Sequence, residues 1–336
     1  MAHLAEFELK RATSLEQAVA WLAAEPYARP IAGGTDLLPN LRRGLGQTPV
    51  LVDLGAVPGL SDIAVTERGL SLGARVTLAR LASHAMIAQH APALAQAARG
   101  VAGPGHRSAA TLGGNLCQDT RCVFYNQSDW WRAANQHCLK YGGTLCHVAP
   151  QGERCHAAFS GDLAPALLVL GAEAELRCPQ GVRIVALADL YRDDGAAHLT
   201  LAGGELLTRV HLPAAVPGQR SSYRKARTRA AMDFPLAGVA CALTLHEGTL
   251  RAPAGVLADL RVAITGTNSK PFQLAGCEQF IGRRVDAELL VQLGKLVQKQ
   301  VNPARSTVTP SHYRRLAAAA LVQGLVRELA GGGAGG

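Results

Sequence analysis

The segment Ala32-Gly33-Gly34-Thr35-Asp36-Leu37 follows a short strand pattern at residues 29–32 and precedes a helical pattern of leucines at residues 37–41. A second segment, Thr111-Leu112-Gly113-Gly114-Asn115-Leu116, repeats the paired glycines further along the chain. Glycine lets a backbone approach its ligand closely, and consecutive N–H groups at a helix start can hold an anion. One such loop is most often an ordinary turn, whereas two in one chain predict a single ligand with two phosphates.

The usual nucleotide-binding motifs are missing from the sequence. No Gly-x-Gly-x-x-Gly lies between a strand pattern and a helix pattern, and Gly-Lys-Ser/Thr does not occur. A Rossmann-type site and a P-loop are therefore disfavoured.

The apolar periodicity predicts a mixed α/β organisation. Thr13 and Glu16 have capping-box spacing before a helix, and a strand follows at residues 50–54. Residues 63–74 predict a hairpin, and residues 78–87 and 91–98 predict helices. Further strands are predicted at 172–177, 205–212, 238–245 and 260–265, and further helices at 162–170, 286–300 and 312–329. The glycine-rich residues 330–336 predict a flexible tail.

Composition and charge exclude several classes of protein. With 48% apolar and 18% charged residues, the chain can fill a sizeable core and is not predicted to be disordered. No apolar run reaches the roughly 20 residues of a membrane helix, and no secretory signal is visible, so we expect a cytoplasmic protein. The net charge of +9 comes from scattered arginines with only six lysines, so we do not expect nucleic-acid binding.

Residues 117–159 differ in composition from the rest of the chain. They contain five of the eight cysteines and two of the three tryptophans, and they lack the period of a helix or a strand. A long aperiodic stretch inside a compact chain is unusual unless it has a function or an internal staple. A disulfide framework is not expected in a chain without a secretory signal.

Four cysteines of this segment could form a metal site. Cys122, Cys138, Cys146 and Cys155 are separated by 15, 7 and 8 residues, which matches neither a compact ferredoxin run nor paired zinc knuckles. Four thiolates can ligate a 4Fe–4S cluster or a structural zinc ion. The alternative is a group of buried free cysteines.

Other residues near these cysteines, and the remaining cysteines, have separate interpretations. His137, His147 and His156 each adjoin one of the four cysteines and are alternative ligands, which keeps zinc open. Cys117 is predicted to lie in a loop near the second glycine segment. The other three cysteines, Cys178, Cys241 and Cys277, are predicted to lie in the core.

The two glycine segments resemble the FAD pyrophosphate loops of the flavoprotein subunits in the xanthine dehydrogenase and carbon monoxide dehydrogenase family. Residues 161–166, the spacing of Lys225, Arg229 and Asp233, and residues 260–266 also resemble that family. The resemblance implies an α+β fold. A FAD-binding domain of the molybdopterin dehydrogenase type would occupy residues 1–215, with two α/β subdomains dividing near residue 55. A small C-terminal α+β domain with an antiparallel sheet would occupy residues 216–329.

The resemblance also implies which residues hold the cofactor. The FAD diphosphate and ribityl chain would contact Ile31, Ala32, Gly33, Gly34, Thr35, Asp36, Leu37, Thr111, Gly113, Gly114 and Asn115. Val101 and Ala102 would contact the flavin nucleotide, and Asp162 would hydrogen-bond the cofactor. Lys225 would lie near the isoalloxazine ring and stabilise the anionic reduced flavin. The alternatives are a helix N-cap for Asp162 and a surface position for Lys225.

The cysteine segment narrows the resemblance. Most members of the family lack such an insert, whereas residues 118–122, 126–132 and 36–46 resemble the β subunits of 4-hydroxybenzoyl-CoA reductases. In those subunits the insert carries a 4Fe–4S cluster, which implies ligation by Cys122, Cys138, Cys146 and Cys155. The implied function is electron transfer through FAD and this cluster, with no catalytic residue of this chain touching the thioester substrate.

The implied partners are a molybdenum-cofactor subunit, a subunit with two 2Fe–2S clusters, and ferredoxin as electron donor. A dimer of heterotrimers is the implied assembly. The complex would reductively convert 4-hydroxybenzoyl-CoA to benzoyl-CoA. Two alternatives stay open: a FAD subunit of an oxidative molybdenum hydroxylase, and a zinc-stabilised non-catalytic binding subunit.

Overall fold

A computed structural model describes residue 4 and residues 6–46, 48–247 and 255–331. The described residues form three sheets, each with helices packed against it. No helix among these residues is long and apolar enough to cross a membrane. The α+β class that the sequence predicts is confirmed.

The N-terminal sheet is parallel and has the order β1-β3-β2. Its strands and helices are β1 (Glu8–Arg11), α1 (Leu15–Ala24), β2 (Arg29–Ile31), α2 (Leu37–Arg42) and β3 (Val50–Asp53). The predicted cap of α1 is wrong by one residue. Ser14 is the N-cap and its Oγ accepts from the Gln17 amide, while the Gln17 side chain accepts from the Thr13 amide. The Ser-x-x-Gln pair therefore replaces Thr13 and Glu16 in this role.

The second sheet is antiparallel and has the order β4-β5-β8-β6-β7. Its strands are β4 (Ile63–Thr66), β5 (Gly69–Gly73), β6 (Glu173–Cys178), β7 (Gly181–Ala186) and β8 (Leu206–Pro213). β7 is an exposed edge strand, and its sequence carries no pattern that predicts it. The core position predicted for Cys178 is wrong, because this residue ends β6 at the edge hairpin and is only half-buried.

A helical layer packs between the second and third sheets. It contains α3 (Leu78–Ser83), α4 (Ala85–His90), α5 (Pro92–Gly100), α6 (Pro104–Ala109) and α7 (Leu112–Leu116), followed by α8 (Asp129–Ala134) in the cysteine segment and α9 (Leu163–Val169). The single helix predicted at 78–87 is two helices, because His84 has an extended backbone between them. Every residue of α9 is buried, as expected for a helix that is apolar all round.

The cysteine segment has a small core of its own around Tyr125 and the cysteines. Apart from α8 and a 3-10 helix at Leu139–Tyr141, its backbone is irregular. Arg132 of α8 is 1% exposed and organises this backbone. Its guanidinium donates to the carbonyls of Gln127 and Gly44, and it packs 4.3 Å from the Tyr141 ring centroid. The segment is therefore ordered by buried polar contacts in place of regular secondary structure.

The third sheet is antiparallel and has the order β12-β11-β10-β9. Its strands and helices are β9 (Arg220–Ala226), β10 (Ala237–Leu245), β11 (Leu257–Thr265), β12 (Phe272–Gln273), α10 (Ala287–Gln300) and α11 (Ser311–Ala330). Cys241 and Cys277 are buried in this core, as predicted. α11 extends through Ala330, so the predicted tail begins later, and residues 332–336 lie outside the described residues.

Arg314 of α11 is fully buried and joins the loops of the third sheet. Its guanidinium donates to the carbonyls of Leu236 and Ala304, each at 3.1 Å, and to that of Gly266. Burial lowers the pKa of Arg314 to about 10. Loss of this side chain would leave three loop carbonyls without their donor.

We predict that Arg314→Met lowers the free energy of unfolding by about 3 kcal/mol, because buried carbonyl acceptors lose a charged donor. Arg327→Met is the matched control, since Arg327 lies on the same helix with an exposed side chain. Urea unfolding of both variants measures the effect. Equal stability of the two variants would contradict the role given to Arg314.

Candidate functional site

The two glycine segments lie against each other in the structure. A Cβ on Gly33 would run into the backbone carbonyl of Ala109, the last residue of α6. Ala110 and Thr111 follow directly, so the first loop packs where the second loop begins. Only glycine permits this approach at position 33.

The first glycine loop has free donors. Within the described part of the chain, the amide N–H groups of Gly33, Gly34, Thr35 and Asp36 donate to no protein acceptor. These residues lie between β2 and α2 and are half-buried, as are Ile31, Ala32 and Leu37. Gly34 has a φ of +66°, which an L side chain rarely adopts. Four consecutive half-buried amides without acceptors form a cradle suited to an anion.

The second glycine loop uses its amides internally. The Gly113 amide donates to the Ala74 carbonyl at 2.8 Å, and the Gly114 amide donates to Thr111 Oγ1 at 3.1 Å. The Asn115 amide donates to the Thr111 carbonyl. The expectation that both loops offer the same backbone donors is therefore wrong. The second loop is a tightly packed wall beside the first.

Asp36 ties the first glycine loop to the start of the cysteine segment. Its carboxylate accepts from the Arg121 guanidinium, from the Asp119 amide at 3.0 Å and from Asn40 Nδ2 at 3.4 Å. Burial raises the pKa of Asp36, and the positive charge of Arg121 acts in the opposite direction. Asp36 therefore holds the first glycine loop against the start of the cysteine segment.

Asp162 and Lys225 form a buried ion pair. Lys225 Nζ lies 2.9 Å from Asp162 Oδ1, and each side chain is 4% exposed. The Tyr223 hydroxyl donates to the same carboxylate at 2.6 Å. Burial raises the pKa of Asp162, while Lys225 acts in the opposite direction. The surface position considered for Lys225 is therefore wrong.

Asn115 positions Asp162. Its Oδ1 accepts from the Leu163 amide at 3.0 Å at the start of α9, while the Asp162 side chain makes no capping hydrogen bond. Asp162 occupies the N-cap position of α9, but its carboxylate contacts Tyr223 and Lys225 of β9. The capping interpretation of that carboxylate is wrong.

Val101 and Ala102 follow α5 on the side of Lys225. A Cβ on Gly100 would lie 3.9 Å from Lys225 Cε. Ala102 has a φ of +41°, and Arg107 Nη1 donates to the carbonyls of Val101 at 2.9 Å and Ala102 at 3.1 Å. Arg107 was not identified from sequence. Arg107 is the fourth residue of the six-residue helix α6, and no sequence pattern distinguishes it from a surface arginine.

Tyr223 was also missed at the sequence level. It lies on β9 two residues before Lys225, and side chains two apart share one face of a strand. That period would have placed it beside Lys225 had β9 been recognised. The strand reads Arg-Ser-Ser-Tyr-Arg-Lys-Ala and lacks a strong apolar signal.

The four cysteines of the segment converge on one cavity. All four are buried, and they line one small cavity of about 10 Å³. Its lining also includes Phe124, Tyr125, Leu139, Lys140, His147, Val148 and Ala157. The sequence-predicted set Cys122, Cys138, Cys146 and Cys155 is thus brought together in space.

Backbone amides act on two of these sulfurs. Burial raises the pKa of the Cys122 thiol, while the amides of Phe124 and Tyr125 act in the opposite direction. Burial raises the pKa of Cys155 to about 12, and the Ala157 amide donates to its Sγ at 3.4 Å. Such N–H donors stabilise bound thiolates. The cavity therefore offers soft ligands in a largely buried setting with backbone donors nearby.

The histidines beside the cysteines differ in their access to the cavity. Among the described residues, no three His, Cys, Asp or Glu side chains are grouped closely enough to hold a metal ion as they stand. His147 lines the cavity, but its Nε2 lies 2.9 Å from the His137 carbonyl. The lining includes neither His137 nor His156.

His198 holds the start of the cysteine segment. Its Nε2 lies 3.0 Å from the Gln118 carbonyl, and its ring packs against Phe159. Burial, together with the positive charge of Lys140, lowers the pKa of His198 to about 4. The folded state therefore takes up the imidazole proton less readily than the unfolded state, in which the pKa is about 6.5.

We predict that His198 lowers the free energy of unfolding by about 3 kcal/mol as the pH falls from 6.5 to 4. Over this range the unfolded state binds a proton at His198 and the folded state does not, because the pKa is higher in the unfolded state. His198→Gln should lack this component, since it keeps an amide donor and does not titrate. Urea unfolding of both proteins at pH 7.5 and 4.5 measures the difference. An identical pH dependence in the two proteins would contradict the prediction.

Comparison with known proteins agrees with this geometry. Residues 5–215 match the FAD binding domain in molybdopterin dehydrogenase, and residues 221–329 match the CO dehydrogenase flavoprotein C-terminal domain. The aldehyde oxidoreductase FAD-binding subunit of Escherichia coli K12 is 32% identical over 84% of this chain and 87% of its own length. The carbon monoxide dehydrogenase medium chain of Afipia carboxidovorans is 27% identical over 96% of each chain.

Solved structures share the same fold. A chain of reconstituted CO dehydrogenase from Oligotropha carboxidovorans superposes with a TM-score of 0.79 and 24% identity, covering 98% of this chain and 99% of that chain. A chain of quinoline 2-oxidoreductase from Pseudomonas putida 86 gives a TM-score of 0.77 at the same identity and coverage. The two domain matches together span nearly the whole protein. The chain belongs to the FAD-binding, or medium, subunits of the xanthine dehydrogenase and carbon monoxide dehydrogenase family.

Proposed function

We propose that this chain is the FAD and iron–sulfur subunit of a molybdenum enzyme complex that reductively dehydroxylates 4-hydroxybenzoyl-CoA. The convergence of Cys122, Cys138, Cys146 and Cys155 on one buried cavity carries the proposal. Membership of the family accounts for FAD, and the four cysteines of the cavity are the ligands that we propose for a second electron carrier in the same chain.

The FAD site in this proposal is centred on the first glycine loop. The free amides of Gly33, Gly34, Thr35 and Asp36 are the donors for the diphosphate. Ile31, Ala32, Leu37, Thr111, Gly113, Gly114 and Asn115 complete the diphosphate and ribityl contacts. Val101 and Ala102 contact the flavin nucleotide.

Asp162 and Lys225 serve the flavin end in the proposal. The buried ammonium is held by Asp162 at 2.9 Å and donates to the Asp233 carbonyl at 3.1 Å, so its position is fixed. A fixed positive charge in a buried setting favours a neighbouring anion over its neutral form. Lys225 would therefore stabilise the anionic reduced flavin.

The four cysteines would ligate a 4Fe–4S cluster. FAD exchanges electrons in pairs or singly when bound, and a cluster of this type exchanges them one at a time. The chain's own residues bury most of the surface of the four thiols, and the Ala157 amide donates to the sulfur of Cys155. We further propose a molybdenum-cofactor subunit and a two-cluster 2Fe–2S subunit as partners in a dimer of heterotrimers. Ferredoxin would be the electron donor.

A second function is favoured by the relatives. The similar proteins include an aldehyde oxidoreductase subunit and a carbon monoxide dehydrogenase chain. This chain could accordingly be the FAD subunit of an oxidative hydroxylase that passes electrons outward. A redox titration of the chain separates the two functions: a cluster potential far below the flavin potential supports the reductive function, and a higher one supports the oxidative function.

We predict that Gly33→Ala weakens FAD binding about tenfold or more, because the new methyl group meets the Ala109 carbonyl and displaces the loop. Gly105→Ala is the matched control, since a Cβ there meets nothing within 4 Å. Bound flavin per chain and the FAD dissociation constant are measured for both. Unchanged FAD binding in the Gly33 variant would contradict the proposed cradle.

We predict that the purified chain contains about four irons and one FAD, and that Cys138→Ser loses the iron while it keeps the flavin. Cys178→Ser is the control, because Cys178 is a free cysteine at the edge of the second sheet. Iron, sulfide, zinc and flavin analyses measure the contents. Stoichiometric zinc without iron would overturn the cluster, and joint loss of FAD would make the segment primarily a folding staple.

A further inference from the structure

Lys140 brings a positive charge to the four-cysteine cavity. It lies two residues after Cys138 in the 3-10 helix at Leu139–Tyr141, and its side chain lines the cavity. The side chain is only 6% exposed. A lysine this deeply buried requires charge partners and hydrogen bonds, because isolated ions are costly to remove from water.

Three acceptors fix the Lys140 ammonium. Nζ donates to Asp119 Oδ1 at 2.6 Å, to Thr120 Oγ1 at 2.5 Å and to the Thr120 carbonyl at 3.2 Å. It also lies 4.5 Å from the centroid of the Tyr125 ring. All three ammonium protons are therefore engaged, and the charge cannot move away from the cavity without breaking these contacts.

The charges are arranged asymmetrically about the cavity. Lys140 belongs to its lining, whereas Asp119 does not and is 26% exposed. A cluster with four thiolates is anionic, and its charge becomes more negative when it is reduced. A fixed cation in the lining would stabilise the more negative, reduced form of a bound cluster, and net charge is one determinant of cluster potential.

We propose that Lys140 is a positioning residue that raises the reduction potential of the cluster, and that Asp119 sets the size of this effect by partly neutralising it. This assignment rests on the proposed 4Fe–4S site. It adds to that site a pair of charged residues that are not ligands.

Three variants of the full chain test the assignment by spectroelectrochemical titration. Lys140→Met removes the cation and should shift the cluster potential downward. Asp119→Asn removes the opposing carboxylate and should shift it upward. Thr120→Val removes a hydrogen bond to Lys140 without a change of charge and should leave the potential near that of the wild type. The flavin potential serves as an internal reference in each protein.

The outcomes separate the two levels of the proposal. A wild-type chain without iron overturns the proposed cluster and the role of Lys140 with it. A wild-type chain with the cluster, but with unshifted potentials or shifts of the same sign in Lys140→Met and Asp119→Asn, overturns only the role of Lys140. If Lys140→Met fails to hold iron, an upward shift in Asp119→Asn supports the assignment and an unshifted potential overturns it.

Discussion

The ion pair between Asp36 and Arg121 joins the two parts of this molecule on which the proposed function depends. Asp36 belongs to the first glycine loop, and Arg121 directly precedes the first cysteine of the cavity. The same carboxylate accepts from the Asp119 amide, so three bonds converge on one side chain from two separate segments. Since the pair is largely buried, its loss would leave an uncompensated charge, and the loop and the cysteine segment are expected to move as one body.

The cysteine segment reaches stability by an unusual route. It has little regular secondary structure, and its backbone carbonyls are satisfied by buried side chains such as Arg132 and Lys140. A buried polar network of this kind is costly when it is incomplete. The segment therefore benefits from any ligand that its four sulfurs share, since ligation adds bonds that only the folded state can form.

Periodicity and motif spacing predicted much of the fold, and the limits of that prediction have physical causes. Strongly apolar elements such as α9 and β10 were found because burial dictates their sequence. The strands β7 and β9 were missed because β7 is exposed and β9 presents serines and a tyrosine to the core. The N-cap of α1 could have been either of two neighbouring hydroxyl residues, Thr13 or Ser14, and only the backbone conformation shows that it is Ser14.

The residues of the candidate site also fall into a group that the sequence predicts and a group that it does not. Glycine pairs and cysteine spacing identified the residues that converge, because these types are needed for close approach and for soft ligation. The partners Tyr223 and Lys140 were not identified, since each meets its acceptor through tertiary packing. Arg107 was not identified because its contact with the carbonyls of Val101 and Ala102 follows no sequence pattern. The sequence also does not predict that only the first glycine loop has free amides. In the second loop the amides of Gly113 and Gly114 donate to the Ala74 carbonyl and the Thr111 hydroxyl, and these contacts form only in the fold.

Iron bound by the four cysteine sulfurs is the central proposal, and diffraction from crystals of the purified chain on both sides of the iron absorption edge tests it most directly. It predicts an anomalous peak that appears only above the edge, in the cavity lined by Cys122, Cys138, Cys146 and Cys155. A cavity with no anomalous peak at the iron edge, or with a peak only at the zinc edge, would contradict it.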